Sequence, residues 1–126
     1  PAMEQEGVWV PIGDDAQLLV ARFKNPKHKE AVSRHSAPHR HLLRTNRASA
    51  DLVEDVHCKA LADGVLLDWK GLEDEKGKAM KYSRDKAFEL LRNYPEFREI
   101  VEEISQEMSL FQKGADAKDQ ETLGKD

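Results

Sequence analysis

The sequence predicts a mainly α-helical small domain with a short N-terminal β-hairpin and a polar turn between its central and C-terminal helices. Three observations lead there. Helix-start signals recur along the chain, at Asn25-Pro26, Ser49, Ser83 and Pro95. The apolar residues after them fall at helical spacing, most clearly at Phe97, Val101, Ile104, Met108 and Phe111. Paired β-favouring runs occur near the N-terminus, around a Gly-Asp turn.

Residues 1–7 are expected to be flexible, and Pro1-Ala2 before Met3 has the look of a cloning scar. Val8 to Ile12 is short, apolar and β-favouring, Gly13-Asp14-Asp15 turns, and Gln17 to Phe23 forms a second strand-like run. A lone hairpin is marginal in water, so this one should lean on helices. Asn25 caps and Pro26 opens a helix expected to run to about Ser36, where Pro38 ends or kinks it. His39 to Arg47 reads as one or two further basic turns. Ser49 caps the next helix, whose Leu52, Val53, Val56 and Ala60 share a face. That helix is expected to pass Gly64 and persist to about Leu67.

Lys70 to Lys78 is polar, carries two glycines, and reads as a turn or small hairpin joining Trp69 to Met80-Lys81-Tyr82. Ser83 caps a helix from Arg84 to Asn93, and Pro95 opens the last one. Its stripe has an a/d-like rhythm, widened by Ile100, but spans only about two heptads, short of the three to four a coiled coil wants. It can pack on its own core or serve in part as a partner surface. Gly114 should end the helix, making 8–113 the helical domain. Residues 114–126, small, polar and charged, are expected to be disordered.

The chain has 126 residues, 35% charged and 39% hydrophobic, enough for one ordinary core. No apolar run approaches the ~20 residues of a membrane helix. Cys58 is the only cysteine, so no internal disulfide can form, and a cytosolic setting is expected. Net charge is −4, unevenly spread. From Arg22 to Arg47 eight bases (Arg22, Lys24, Lys27, Lys29, Arg34, Arg40, Arg44, Arg47) face Glu30 alone, a net of +7. From Glu96 to Asp126 the net is −5. Opposite faces of this kind suit a partner of complementary charge, head-to-tail stacking, or simple solvation.

No catalytic pattern emerges. His35 and His39 would share a helical face, but Pro38 lies between them. His57 and Cys58 are adjacent, so on a helix they point about 100° apart. No CxxC, HExxH, GxSxG, Walker loop or GxGxxG is present, and zinc wants three or four ligands. Cys58 lacks a third group to orient a base. No catalytic residue, metal or cofactor is expected. The basic stretch has no aromatic after Phe23 on which bases could stack, so nucleic-acid binding is disfavoured.

Three stretches carry a resemblance. They are Leu66-Leu67-Asp68-Trp69-Lys70-Gly71 with its acidic turn to Gly77-Lys78, then Tyr82-Ser83 through Leu90-Leu91, then Tyr94-Pro95-Glu96-Phe97. With Ala21-Arg22 and Asn25-Pro26-Lys27 upstream, this order resembles the tail assembly chaperones of long-tailed bacteriophages. The likeness spans about Val8 to Phe111. It is looser at Ile104 to Phe111, where the family often places a small residue and an acid or asparagine before its phenylalanine.

The resemblance implies a non-enzymatic protein of the host cytoplasm that binds the tape measure protein during tail assembly. It would recruit the major tail tube protein and be absent from the mature virion. A longer frameshifted form would begin after Gly114. Trp69, Leu72, Phe97, Val101, Ile104, Met108 and Phe111 are the candidate partner contacts, though core packing suits each of them too. Self-association along a filament is a further expectation. The alternatives are another morphogenesis protein, for tail completion or head–tail joining, and a small nucleic-acid-binding regulator using the basic segment. Duplex binding through phosphates would collapse between ~50 and ~200 mM salt, whereas apolar contacts would not.

Overall fold

The computed structural model describes residues 6–107, so Met108, Phe111 and the tail from Gly114 lie outside the described residues. The chain forms β1 (Val8–Ile12), β2 (Ala16–Val20) and α1 (Pro26–Ser36), then a 3-10 turn (Ala37–His39) and α2 (Arg40–Arg44). It continues through α3 (Ala50–Gly64), β3 (Leu66–Lys70) and α4 (Arg84–Asn93) to α5, helical over 95–107 of the described residues.

The predicted mainly α class is corrected by β3. Leu66–Lys70 pairs antiparallel with β2, making a three-stranded sheet in the order β1-β2-β3, and the protein is a small mixed α/β domain. Helix α3 stops at Gly64 and does not reach Leu67. An apolar run such as Val65 to Leu67 fits a buried strand as well as a helix, and periodicity alone does not separate them. Here β2 decides. As the central strand it carries Leu18 and Val20, both fully buried, and its second edge needs a partner for its backbone groups. The register sets Leu18 opposite Trp69 and Val20 opposite Leu66, with an irregularity between Leu19 and Val20. Ala21 continues the contact by donating its N–H to the Val65 carbonyl at 2.8 Å.

The helices open where the sequence puts their starts, whereas the second strand, expected to reach Phe23, ends at Val20. The hairpin turns through Gly13-Asp14-Asp15, pairing Ile12 with Ala16. Ser49 and Ser83 cap α3 and α4 by accepting the N–H of Leu52 and Lys86. The core joins Leu18 and Val20 to Leu61, Leu66, Leu91 and Val101, and β1 rests on it through Ile12, whereas α2 gives it no buried side chain.

The junction of α1 with α3 is the tightest point of the fold. Gly64 passes so close to α1 that a Cβ on it would sit 2.6 Å from the His28 Cα. Asn25, fully buried, binds the two helices together. Its side-chain oxygen accepts the His28 N–H at 3.1 Å, and its amide donates to the Gly64 carbonyl at 2.8 Å and the Arg22 carbonyl at 2.7 Å. His28 is 3% exposed and accepts the Lys24 N–H on Nδ1 at 3.0 Å. Burial, with the charges of His57 and Lys24 adding to it, brings the His28 pKa down to about 4 from 6.5.

The unfolded chain therefore binds the extra proton between those values, and stability falls as pH falls from about 6.5 toward 4. The expected loss from His28 is about 2 kcal/mol between roughly pH 7.5 and pH 5. It should be read as a lower urea midpoint, and His28→Gln should remove this part of the slope.

Candidate binding groove

Two ion networks fasten the helices and fix what stays on the surface. Asp63 receives Arg34 at 2.8 Å, His35 at 2.5 Å and Arg84 at 2.6 Å, tying α3 to α1 and α4. Burial alone would raise the Asp63 pKa, but the hydrogen bonds from Arg84 and His35 outweigh it and hold the carboxyl below its usual range. At the other end of α3, Glu54 takes Arg92 at 2.7 Å and Arg98 at 2.8 Å, while Arg92 also meets Asp51. His57 pairs with Glu102 at 3.1 Å.

These groups are spent on packing. The Cys58 thiol is fully buried, and burial pushes its pKa up, away from the thiolate a nucleophile needs. Among the described residues no cluster of three His, Cys, Asp or Glu could hold a metal ion, and no helix is long and apolar enough to cross a membrane.

The segment after β3 builds a different kind of surface. Gly71 takes φ +75°, and a Cβ there would lie 2.1 Å from the Asp15 carbonyl oxygen, so the chain can turn off the sheet only as glycine. A small ordered loop follows. Met80 donates its N–H to the Leu72 carbonyl at 2.8 Å, and Glu73 bridges Ala79. The Asp74 carboxylate accepts the N–H groups of Lys76 and Lys78, both at 2.9 Å. Trp69 and Tyr82 clamp this loop to β3. The Trp69 indole donates to the Met80 carbonyl at 2.7 Å, the Tyr82 hydroxyl donates to the Leu66 carbonyl at 2.9 Å, and the rings meet edge to face at 4.8 Å.

Between this loop, α4 and the start of α5 lies an open groove of about 800 Å³. Leu72, Met80, Leu90, Phe97 and Ile100 give it apolar walls, with Tyr94 at one end. Its rim carries Glu73, Asp74, Glu75, Glu89 and Glu96 against Lys76 and Lys86, a net of −3. Helix α4 divides its surface between two tasks. Arg84 and Arg92 reach the acids of α3, and Lys59 of α3 stands over the Phe88 ring at 6.0 Å. Lys86, Glu89 and Leu90 face the groove on the other side.

Of the predicted partner contacts, Leu72 and Phe97 line this groove and also lean on the core. Trp69 is 4% exposed and Val101 fully buried, so both serve as core, while Ile104 packs half-buried against it. The sequence stripe missed the residues that make the groove accessible. Tyr94 is 49% exposed and Ile100 41%. The only signal was Ile100 standing one place off the stripe, beside the Tyr94-Pro95 break. A second hollow of about 680 Å³ shares Leu72, Glu73 and Met80 and extends to Lys81 and Tyr82.

The predicted basic surface is split. Arg22 is half-buried, and Arg34 is engaged by Glu30 and Asp63. Lys24 is exposed with its ammonium 6.0 Å from the Phe23 ring centroid. Lys27, Lys29, Arg40, Arg44 and Arg47 are exposed and make no ion pair among the described residues.

No curated protein and no solved structure matches the chain. The model of one family, the YdaY prophage protein, matches residues 23–125. That span takes in the basic segment except Arg22, all of α1 to α4 and every residue lining the groove. The match supports a phage-derived protein and is not specific to tail assembly chaperones. By this match the chain belongs to the YdaY prophage protein family.

Proposed function

We propose that this prophage protein is a tail assembly chaperone. It works without catalysis, by holding an apolar helical segment of the tape measure protein in the groove between the 72–80 loop, α4 and α5. By keeping that surface from aggregating it allows the major tail tube protein to assemble around the tape measure protein. It acts in the host cytoplasm and leaves before the virion is complete.

The observation that carries this reading is the groove itself. Tyr94 and Ile100 are large apolar side chains left exposed beside Leu72, Leu90 and Phe97, which is the form a helix-in-groove contact takes. The likeness of Leu66 to Lys78 and Tyr82 to Phe97 to tail assembly chaperones covers the segments that build it. Phage origin, shown by the family match, supports the same reading.

Co-expression tests it. The tape measure protein should stay in the soluble fraction bound to this chain, and the complex should survive ~500 mM salt, because apolar contacts are not screened as charges are. A tape measure protein that stays insoluble, or a complex that dissolves at that salt, overturns the reading.

A further inference from the structure

The charges that border the groove differ in what already holds them. On α4, Lys86 and Glu89 pair with each other at 3.4 Å and cancel. The Asp74 carboxylate is occupied by the N–H groups of Lys76 and Lys78. Glu73, Glu75 and Glu96 are exposed and make no ion pair among the described residues. Against them the lining offers the ammonium of Lys76.

Helix α5 carries the acidic border onward. Glu96, Ile100, Glu103 and Glu107 stand at i, i+4, i+7 and i+11, on one stripe of the helix, and all four are exposed. Phe97 and Ile104 lie on the neighbouring stripe and rest on the core. From Glu96 to Glu107 the stripe runs ~16 Å along the helix axis, about three turns. Glu103 and Glu107 make no ion pair among the described residues either. The exposed apolar wall at Ile100 is thus edged by carboxylates with no cation from this chain beside them.

Apolar walls decide how tightly an occupant is held, and the charges at the rim decide which occupant is chosen. A nucleic acid or an anionic lipid surface is repelled by this rim. A helix with lysine or arginine beside its apolar face is attracted to it, and one with acidic flanks meets like charge.

We propose that the groove selects basic amphipathic helices, its apolar walls taking the helix's apolar face and Glu73, Glu75 and Glu96 taking the lysines or arginines beside it. The inference deepens the chaperone reading and rests on it: the segment of the tape measure protein held in the groove is a helix of this kind. Selection is electrostatic and fades with salt, whereas retention is apolar and persists.

The test uses the full chain and two designed helical peptides of ~18 residues that share one leucine face and differ only in its flanks, lysine in one and glutamate in the other. By fluorescence anisotropy, the lysine peptide should bind at least ~5-fold more tightly than the glutamate peptide in ~50 mM salt, and at most ~2-fold more tightly at ~500 mM. The variant Glu73→Gln, Glu75→Gln, Glu96→Gln should hold both peptides and lose most of the preference. All three positions are exposed, and a melting curve checks that the variant folds.

Equal binding of the two peptides in ~50 mM salt, or a preference that the variant keeps, overturns this proposal and leaves the chaperone reading standing. If neither peptide binds, the groove does not take helices, and both fall. If the preference holds but the tape measure protein stays insoluble on co-expression, the chaperone reading alone fails. A wild type that gains mass by sedimentation velocity in ~50 mM salt, and sheds the lysine peptide as it does so, has a second copy in its groove and overturns the choice of occupant.

Discussion

Gly64→Ala is expected to destabilise the fold by about 3 kcal/mol, although alanine is the better helix former by about 1 kcal/mol. The sign is decided by space. The new Cβ would lie 2.6 Å from the His28 Cα, 2.7 Å from the His28 nitrogen and 3.0 Å from the Lys27 carbonyl carbon. All three are backbone atoms of α1, so no side-chain rotamer relieves the contact. The helices must separate, and the separation stretches the Asn25 bond to the Gly64 carbonyl. Urea denaturation should show a lower midpoint with an unchanged slope. A variant as stable as wild type would mean that α1 and α3 do not approach as described.

Asn25→Ala should cost about as much by a different route. The side chain caps α1, and losing such a cap costs about 0.5–2 kcal/mol. It also bridges to α3, and its removal leaves the buried Gly64 carbonyl without that donor, at about 1–3 kcal/mol. The combined loss is about 3 kcal/mol. Asn25→Asp separates the two parts. The carboxylate can still cap the helix but cannot donate to Gly64, so it should recover only the cap. Full recovery in that variant would show that the link to α3 contributes nothing.

The local grammar of the chain was readable without a structure. Asn25-Pro26, Ser49 and Ser83 each start a helix because a side-chain oxygen can accept an orphan N–H, a one-residue event that needs no tertiary partner. The hairpin was readable for the same reason, since its turn and its two runs are contiguous.

What resisted reading depends on distant partners. Leu66 to Lys70 becomes a strand because β2, forty-odd residues earlier, offers an open edge. Gly64 reads as a flaw in a helix until α1 is set against it. The groove draws Leu72, Met80, Leu90 and Ile100 from three segments, so no single stripe reveals it. Trp69, distinctive in the sequence, is distinctive for packing: it holds the groove's loop in place from below.

The chaperone reading stands or falls on whether the exposed groove residues make the contact. The most direct measurement is the soluble fraction of tape measure protein recovered with the wild type, compared with that recovered with the double variant Tyr94→Ser, Ile100→Gln. Both side chains are among the exposed large hydrophobics, so the variant's melting temperature should be close to wild type. The account predicts that the variant recovers at least ~10-fold less, as expected when apolar anchors of a contact are removed. A stable variant that recovers as much as wild type would place the contact elsewhere and contradict it.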